Sequence, residues 1–338
     1  MKTKLVSMLL LLGLSNYLVA FHVGAHTDIG TRETSEDRHV INQRCLAVFD
    51  GTTGGYRLSE HMREITEGIV QNNDLHNKGK TWEHLKLSVD TGQDHAKQLA
   101  NKEYVGLANY LKTTWATTAA VAYINNKNKL HIYYIGDTRV VLANKEGTVV
   151  YETKDHKPDR PDEKKRLVKL EQTLGWPVGE IYTAGENGKP SRVEGNISIS
   201  RAIGYVGNTN GAILREPEFY EKDLDANDTF IINACDGLWD VFSSQEAVDF
   251  VRVKLEEAKA ASSEIDLNSI SKNLVEAAIK KGSTDNVTVA LMLLSKDSTD
   301  LGEVSEIQNY NHYSLRNIFN PYCLLLAVVG ALLYYYSR

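Results

Sequence analysis

Five short stretches of this chain hold acids where charge alone gains a fold nothing: TRETSEDR with Arg32, Glu36 and Asp37, FDG with Asp50, IGDTR with Asp137, ACDGLWD with Asp236 and Asp240, and GSTDNVTV with Asp285. Each acid sits at the end of an apolar run or in the turn that follows. Acids brought together repel one another unless a cation lies among them. These donors are carboxylates with no accompanying His or Cys ligands, a hard oxygen set that points to Mg²⁺ or Mn²⁺ over zinc or copper. A single Asp at a strand end is more often only a turn former. The inference therefore belongs to the five motifs as a set, and spacing alone does not establish that they converge.

The elements that must carry these acids form a mixed pattern. Strand-like runs are Val19–Ala25, Cys45–Phe49, Ala116–Ile124, Leu130–Ile135, Arg139–Ala143, Thr229–Ala234 and Asn286–Leu294, and helical periodicity covers Arg57–Gln71, Trp82–Lys112, Asp162–Gln172, Gln245–Lys259 and Leu267–Lys281. The three central runs are broken only by NNKNK and GDT. Such short breaks leave no room for crossover helices, so the three are expected to be antiparallel neighbours. Strands grouped apart from helices predict an α+β layered fold instead of a doubly wound parallel one.

At 338 residues, with 42% hydrophobic and 24% charged residues, the chain has the make-up of a globular protein. Its net charge of −6 argues against nucleic acid as the main partner. Cys45 and Cys235 lie in apolar runs and Cys323 in the terminal apolar segment, with neither a disulfide framework nor zinc spacing. Both strand cysteines are expected to be buried structural thiols.

The ends differ from the middle. Residues 1–20 place Lys2 and Lys4 before the apolar run Leu5–Leu14, the layout of a secretory signal peptide. Residues 296–320 are polar and aperiodic, as in a linker. Residues 321–337, with an uncharged stretch from Tyr322 to Tyr336 and a tyrosine cluster before Arg338, are expected to be a single-pass membrane anchor. Two orientations stay open. A cleaved signal places residues 21–295 in a lumen or outside the cell, whereas Asn286-Val287-Thr288, a glycosylation triplet beside Asp285, favours a domain facing the cytosol.

From about Gly24 to Leu294 the chain resembles the metal-dependent protein serine/threonine phosphatases of type 2C. The resemblance rests on seven motifs in the family's order: DIGTRETSEDR, VFDGTTGG, LHIYYIGDTRVVLA, DHKPDRPDEKKRL, ISISRAIG, ACDGLWDVFSSQEAV and KKGSTDNVTV. It implies a four-layer αββα sandwich of two antiparallel sheets flanked by helices, with two Mn²⁺ or Mg²⁺ ions in a cleft at one end and a phosphoprotein as substrate. Carried over by motif, Asp50 bridges both metals, the Gly51 carbonyl and Glu36 hold one of them with Asp37 in its outer shell, and Asp236 and Asp285 hold the other. Asp137 belongs to a weaker third site, and Arg32 grips the substrate phosphate, where a guanidinium can fork onto two oxygens. Residues 155–201 correspond to the family's variable flap.

One motif departs from the pattern. Animal members carry Asp-Gly-His-Gly-Gly where this chain has Asp50-Gly51-Thr52-Thr53-Gly54-Gly55, so the proton-donating His is absent and the turn is one residue longer. General acid catalysis contributes about 10²- to 10⁴-fold. Bacterial branches of the family also lack this His and still work, and every metal-ligand position that the resemblance implies is still filled, which favours an active enzyme; the alternative is a pseudophosphatase that keeps the fold as a scaffold. His26, His61 and His156 lie in or near the motifs and are the candidate substitutes, although each is more often an ordinary surface or capping residue.

Overall fold

The computed structural model describes residues 21–52, 54–71, 115–186, 189–205 and 211–294. Among them two antiparallel sheets lie face to face. Sheet 1 has the order β1 (Phe21–Asp28), β14 (Val287–Leu294), β13 (Asp228–Ala234), β7 (Arg139–Asn144), β8 (Val149–Glu152). Sheet 2 runs β11 (Ile203–Gly204), β4 (Ala116–Thr117), β3 (Cys45–Thr52), β5 (Ala119–Ile124), β6 (Lys129–Ile135), β12 (Glu218–Asp223), and β2 (Asp37–Asn42) also pairs with β3.

Side-chain alternation builds the layers. Along β3, Leu46 and Val48 point into the space between the sheets, where they meet Ile132, Leu142, Ile231 and Met292. Cys45, Ala47 and Phe49 point the other way, into a second core that includes Met62 of helix α1 (Tyr56–Gln71). The outer face of sheet 1, through Ile232, Val289 and Leu291, packs against three helices: the short α3 (Asp236–Trp239), α4 (Ser244–Ala260) and α5 (Leu267–Lys280). Burying both faces of these strands removes the polar alternation of a half-exposed sheet and leaves continuous apolar runs. Helix α4 starts on a capping box between Ser243 and Glu246, and α5 on the Asp266 carboxylate.

The flap is a module of its own core. Helix α2 (Pro161–Leu174) and the ribbon of β9 (Tyr182–Thr183) and β10 (Arg192–Val193) enclose Leu167, Ile181, Val193, Ile197 and Ile199. Ion pairs fasten it to sheet 2. Within the flap the fully buried Glu163 carboxylate accepts from Arg166 and Arg201, and it is Arg160 that reaches Glu218 at the edge of sheet 2.

Three expectations change. The run Ala116–Ile124 is two strands, β4 and β5, parted at Thr118, whose N–H donates to Asp50 O (2.8 Å). The three central runs are not all neighbours: β5 and β6 pair, but β7 leaves for sheet 1. Gly136, with φ of 92°, makes the switch, and a side chain there would collide with Thr118. A loop as short as a hairpin's here changes sheets, which sets Asp137 where the two sheets meet. Strands β2 and β8 to β12 are additions; β12 reads EFYEKD, an edge strand whose charges guard an open sheet margin.

The helix expected at Trp82–Lys112, the signal-like residues 1–20, the linker 296–320 and the anchor 321–337 lie outside the described residues. No helix among the described residues is long and apolar enough to cross a membrane.

Gly24 tests the packing of helix on sheet. A methyl group there would stand 2.3 Å from the Leu267 carbonyl carbon and 2.4 Å from the Asn268 nitrogen, both backbone atoms, whereas Gly68 in α1 has open space around it. Thermal unfolding should show Gly24→Ala losing about 2 kcal/mol or more, a Tm lower by roughly 4 °C or more. Gly68→Ala should gain up to about 1 kcal/mol through helix propensity.

Candidate metal centre

Acids from all five motifs converge, although Asp240 does not line the cleft. A cleft of about 460 Å³ is lined by Glu36, Asp50, Gly51, Asp137, Asp236 and Asp285, with Arg32 beside them and Arg192, Ile197 and Ser198 of the flap forming a wall. Asp37 is buried behind it, paired in register with Asp50 across β2 and β3. Ligand atoms of Asp50, Asp137 and Asp236 lie within 4.8 Å of one another, and so do those of Asp37, Asp50 and Cys235. Asp50 belongs to both groups.

Backbone features aim each side chain. The Asn286 amide donates to Ile29 O (2.9 Å) and Thr34 O (3.1 Å) and accepts from Glu36 N–H (2.8 Å), which fixes the loop carrying Arg32 and Glu36. Gly51 N–H and the Ser59 hydroxyl both donate to Glu36 O. Asp236 opens α3 with only Cys235 between it and β13, and Asn286 alone separates Asp285 from β14, so neighbouring strands of sheet 1 deliver both. Arg32 donates to Asp285 Oδ2 at the exposed rim, and Lys157 Nζ donates to Asp137 Oδ2.

Charge is crowded here. Burial, then the neighbouring Asp236, Asp37, Asp137 and Asp285, pushes the Asp50 carboxyl well above the usual carboxylate range. Burial and Asp137 push Asp236 the same way, against the pull of Lys157. Asp37 is raised to about 6, mainly by burial. Such a cluster cannot ionise fully by itself, and divalent cations on hard oxygen donors are the natural remedy. Lys157 and Arg32 offset part of the repulsion, and the residues present fit Mn²⁺ or Mg²⁺.

Several residues behave otherwise than their motifs suggest. Cys235 is a buried thiol as expected, yet its sulfur sits among the carboxylates, accepts from Thr288 N–H (3.1 Å) and is held protonated by burial and by Asp37, Asp50 and Asp236. None of His26, His61 and His156 lines the cleft. His156 is fully buried, with Nδ1 at Gly136 and Nε2 3.5 Å from Glu218, so it belongs to the fastening of the flap. In the altered turn Thr52 and Gly54 line the cleft, while the inserted Thr53 lies outside the described residues. Asn286, the triplet's candidate glycan acceptor, is buried with its amide nitrogen committed to two carbonyls, a position with no room for a glycan.

Lys157, Arg192 and Asn286 have no role in the motif reading. Lys157 is one lysine in a strongly charged segment, and only the fold puts it on Asp137. Its ammonium is raised further above its usual value by Asp137 and Asp236, despite the opposing effect of burial.

The crowding has a measurable sign. A folded carboxyl with a raised pKa holds a proton that the unfolded chain releases, so its contribution to stability falls as pH rises from the ordinary value, near 4, through the raised one. Asp236→Asn should therefore raise the Tm of the metal-free chain, by about 2–4 °C for about 1 kcal/mol at pH 7.5 and by less at pH 5, in calorimetry with EDTA. A Tm lowered equally at both pH values would contradict this.

Comparison with known proteins agrees with the geometry. Residues 16–287 match the family model described as Protein phosphatase 2C. Human protein phosphatase 1B is 32% identical over 262 residues, covering 74% of this chain and 50% of that protein, so the chain spans about half the length of this relative. Among solved structures, a C. elegans sex determining protein superposes with a TM-score of 0.62 at 21% identity, over 82% of this chain and 65% of that one. The catalytic domain of serine threonine protein phosphatase PstP in complex with 2 manganese ions gives 0.55 at 20% identity, over 82% of this chain and 100% of that one. These two likenesses concern the fold alone, whereas the family model spans most of the sequence: the chain belongs to the protein phosphatase 2C family.

Proposed function

We propose that the chain is a metal-dependent protein serine/threonine phosphatase that hydrolyses phosphoserine and phosphothreonine with two Mn²⁺ or Mg²⁺ ions. The observation that carries this reading is Asp50 shared by two groups of close donor atoms, next to a cleft with an arginine at its rim. Asp50 would be the common ligand, with Glu36 and the Gly51 carbonyl on one side, Asp37 behind them, and Asp236 with Asp285 on the other. Asp137, already engaged by Lys157, suits a weaker third ion. The manganese named for the PstP structure supports the choice of metal. When bound, the ions supply a water acidified enough to attack phosphorus at neutral pH and counter-charge for the phosphoryl oxygens.

The chain's own residues do the rest. Arg32, at the rim beside Asp285, would fork onto two oxygens of the phosphoryl group, and Arg192 faces the same space from the flap. Among the described residues the cleft offers no histidine, and a threonine hydroxyl is far too weak an acid to replace one. Protonation of the departing serine or threonine oxygen is therefore the step that this site supports least. That same gap favours the second reading, a pseudophosphatase scaffold. The retained acids, which would repel to no purpose in a dead site, favour the enzyme. Membrane attachment through residues 321–337 is likewise proposed, and protease protection of intact membranes tests it.

Assay of the purified chain with Mn²⁺ separates the readings. Turnover of p-nitrophenyl phosphate, whose leaving group needs little protonation, should exceed that of a phosphothreonine peptide, and Asp236→Asn should lower both by on the order of 10²-fold or more. No metal-dependent turnover of either substrate would leave only the scaffold. Deleting Thr53 and making Thr52→His should raise peptide turnover by on the order of 10²-fold and p-nitrophenyl phosphate turnover much less. An equal rise in both would show that the threonines cost something other than a proton donor.

A further inference from the structure

Asp37 alone among the clustered acids does not face the cleft, and a chain of hydroxyls holds it from behind. Thr288, fully buried on β14, donates to Asp37 Oδ2 at 2.7 Å. Its Oγ1 is 2.9 Å from that of Thr27, its register partner on β1. Thr27 Oγ1 in turn lies 3.2 Å from Nδ1 of His39, on β2 two residues beyond Asp37. Three strands from both sheets thus contribute to one hydrogen-bonded line.

The carboxylate sets the direction of that line. An ionised Asp37 can only accept, so Thr288 gives it its single hydroxyl proton. Thr288 must then accept from Thr27. Thr27, its own proton committed, must accept from His39, which requires the proton of that imidazole to be on Nδ1. Hydrogen bonds that all point one way polarise each other and strengthen the last of the series.

We infer that Thr288, Thr27 and His39 are positioning residues for Asp37: they hold one carboxylate oxygen toward the sheet and leave the other toward Asp50, in the outer shell of the cation that Asp50, Glu36 and the Gly51 carbonyl would hold. This rests on the metal reading proposed above. Partners that orient a ligand commonly alter metal affinity about 10- to 100-fold when removed. Here the partners sit on rigid strands, where a methyl group in place of a hydroxyl changes shape very little.

The test measures free Mn²⁺ by electron paramagnetic resonance over the full chain without substrate. Thr288→Val should weaken binding of one ion by about 10-fold, Thr27→Val by a smaller factor, and serine at either position should restore it. In an Asp37→Asn background, Thr288→Val should cause no further loss. Independently, ¹⁵N NMR of the wild-type chain should show His39 as the Nδ1–H tautomer, and Thr27→Val should release it. Wild-type Mn²⁺ affinity in both valine variants, or an Nε2–H tautomer in the wild type, overturns this inference while leaving the metal reading intact. A wild-type chain that binds no Mn²⁺ overturns both. Should Thr288→Val fail to fold, Thr27→Val and the wild-type tautomer decide.

Discussion

Buried carboxylates repel one another, and both sheets here hold several of them together against that repulsion. Asp50 lies between Asp37 on one side and Asp137 with Asp236 on the other, close enough that none can be charged cheaply while the others are. A fold that kept these acids without a cation would carry a standing cost and draw nothing from it. Lys157 and Arg32 reduce that cost, but Lys157 pairs with Asp137 and Arg32 with Asp285, and neither pairs with Asp50.

The two sheets hold the repelling groups in place. Asp50 is at the end of β3 in sheet 2, Asp236 and Asp285 are at the adjoining ends of β13 and β14 in sheet 1, and Asp137 is at the switch between sheets. The strands that deliver them are apolar on both faces, so any movement of one acid away from the others would have to displace packed core. Asn286 extends the same logic to a loop: its three hydrogen bonds tie the segment carrying Arg32 and Glu36 to the start of β14.

Much of this was legible in the sequence. Strands buried on both faces announce themselves as apolar runs, and the acids that follow them could be named one by one. The failures have physical causes. β12 is a charged edge strand whose pairing depends on Lys129 and its neighbours in β6, and nothing within EFYEKD signals that. The Gly136 switch has the length of a hairpin, and only the choice of the next partner strand distinguishes the two. Lys157 and Arg192 reach the site from a segment whose charges mostly fasten it to the domain. Thr27 and Thr288 look like ordinary strand residues, because a hydroxyl line across three strands leaves no pattern along any one of them.

We propose that these carboxylates converge on Asp50 to hold two cations. Anomalous diffraction from crystals of the chain grown with Mn²⁺ tests it most directly. Two peaks are expected with Asp50 between them, one toward Glu36 and the Gly51 carbonyl, the other toward Asp236 and Asp285. A single ion that leaves Asp50 uncoordinated, or a cleft that stays empty of metal at saturating Mn²⁺, would contradict it.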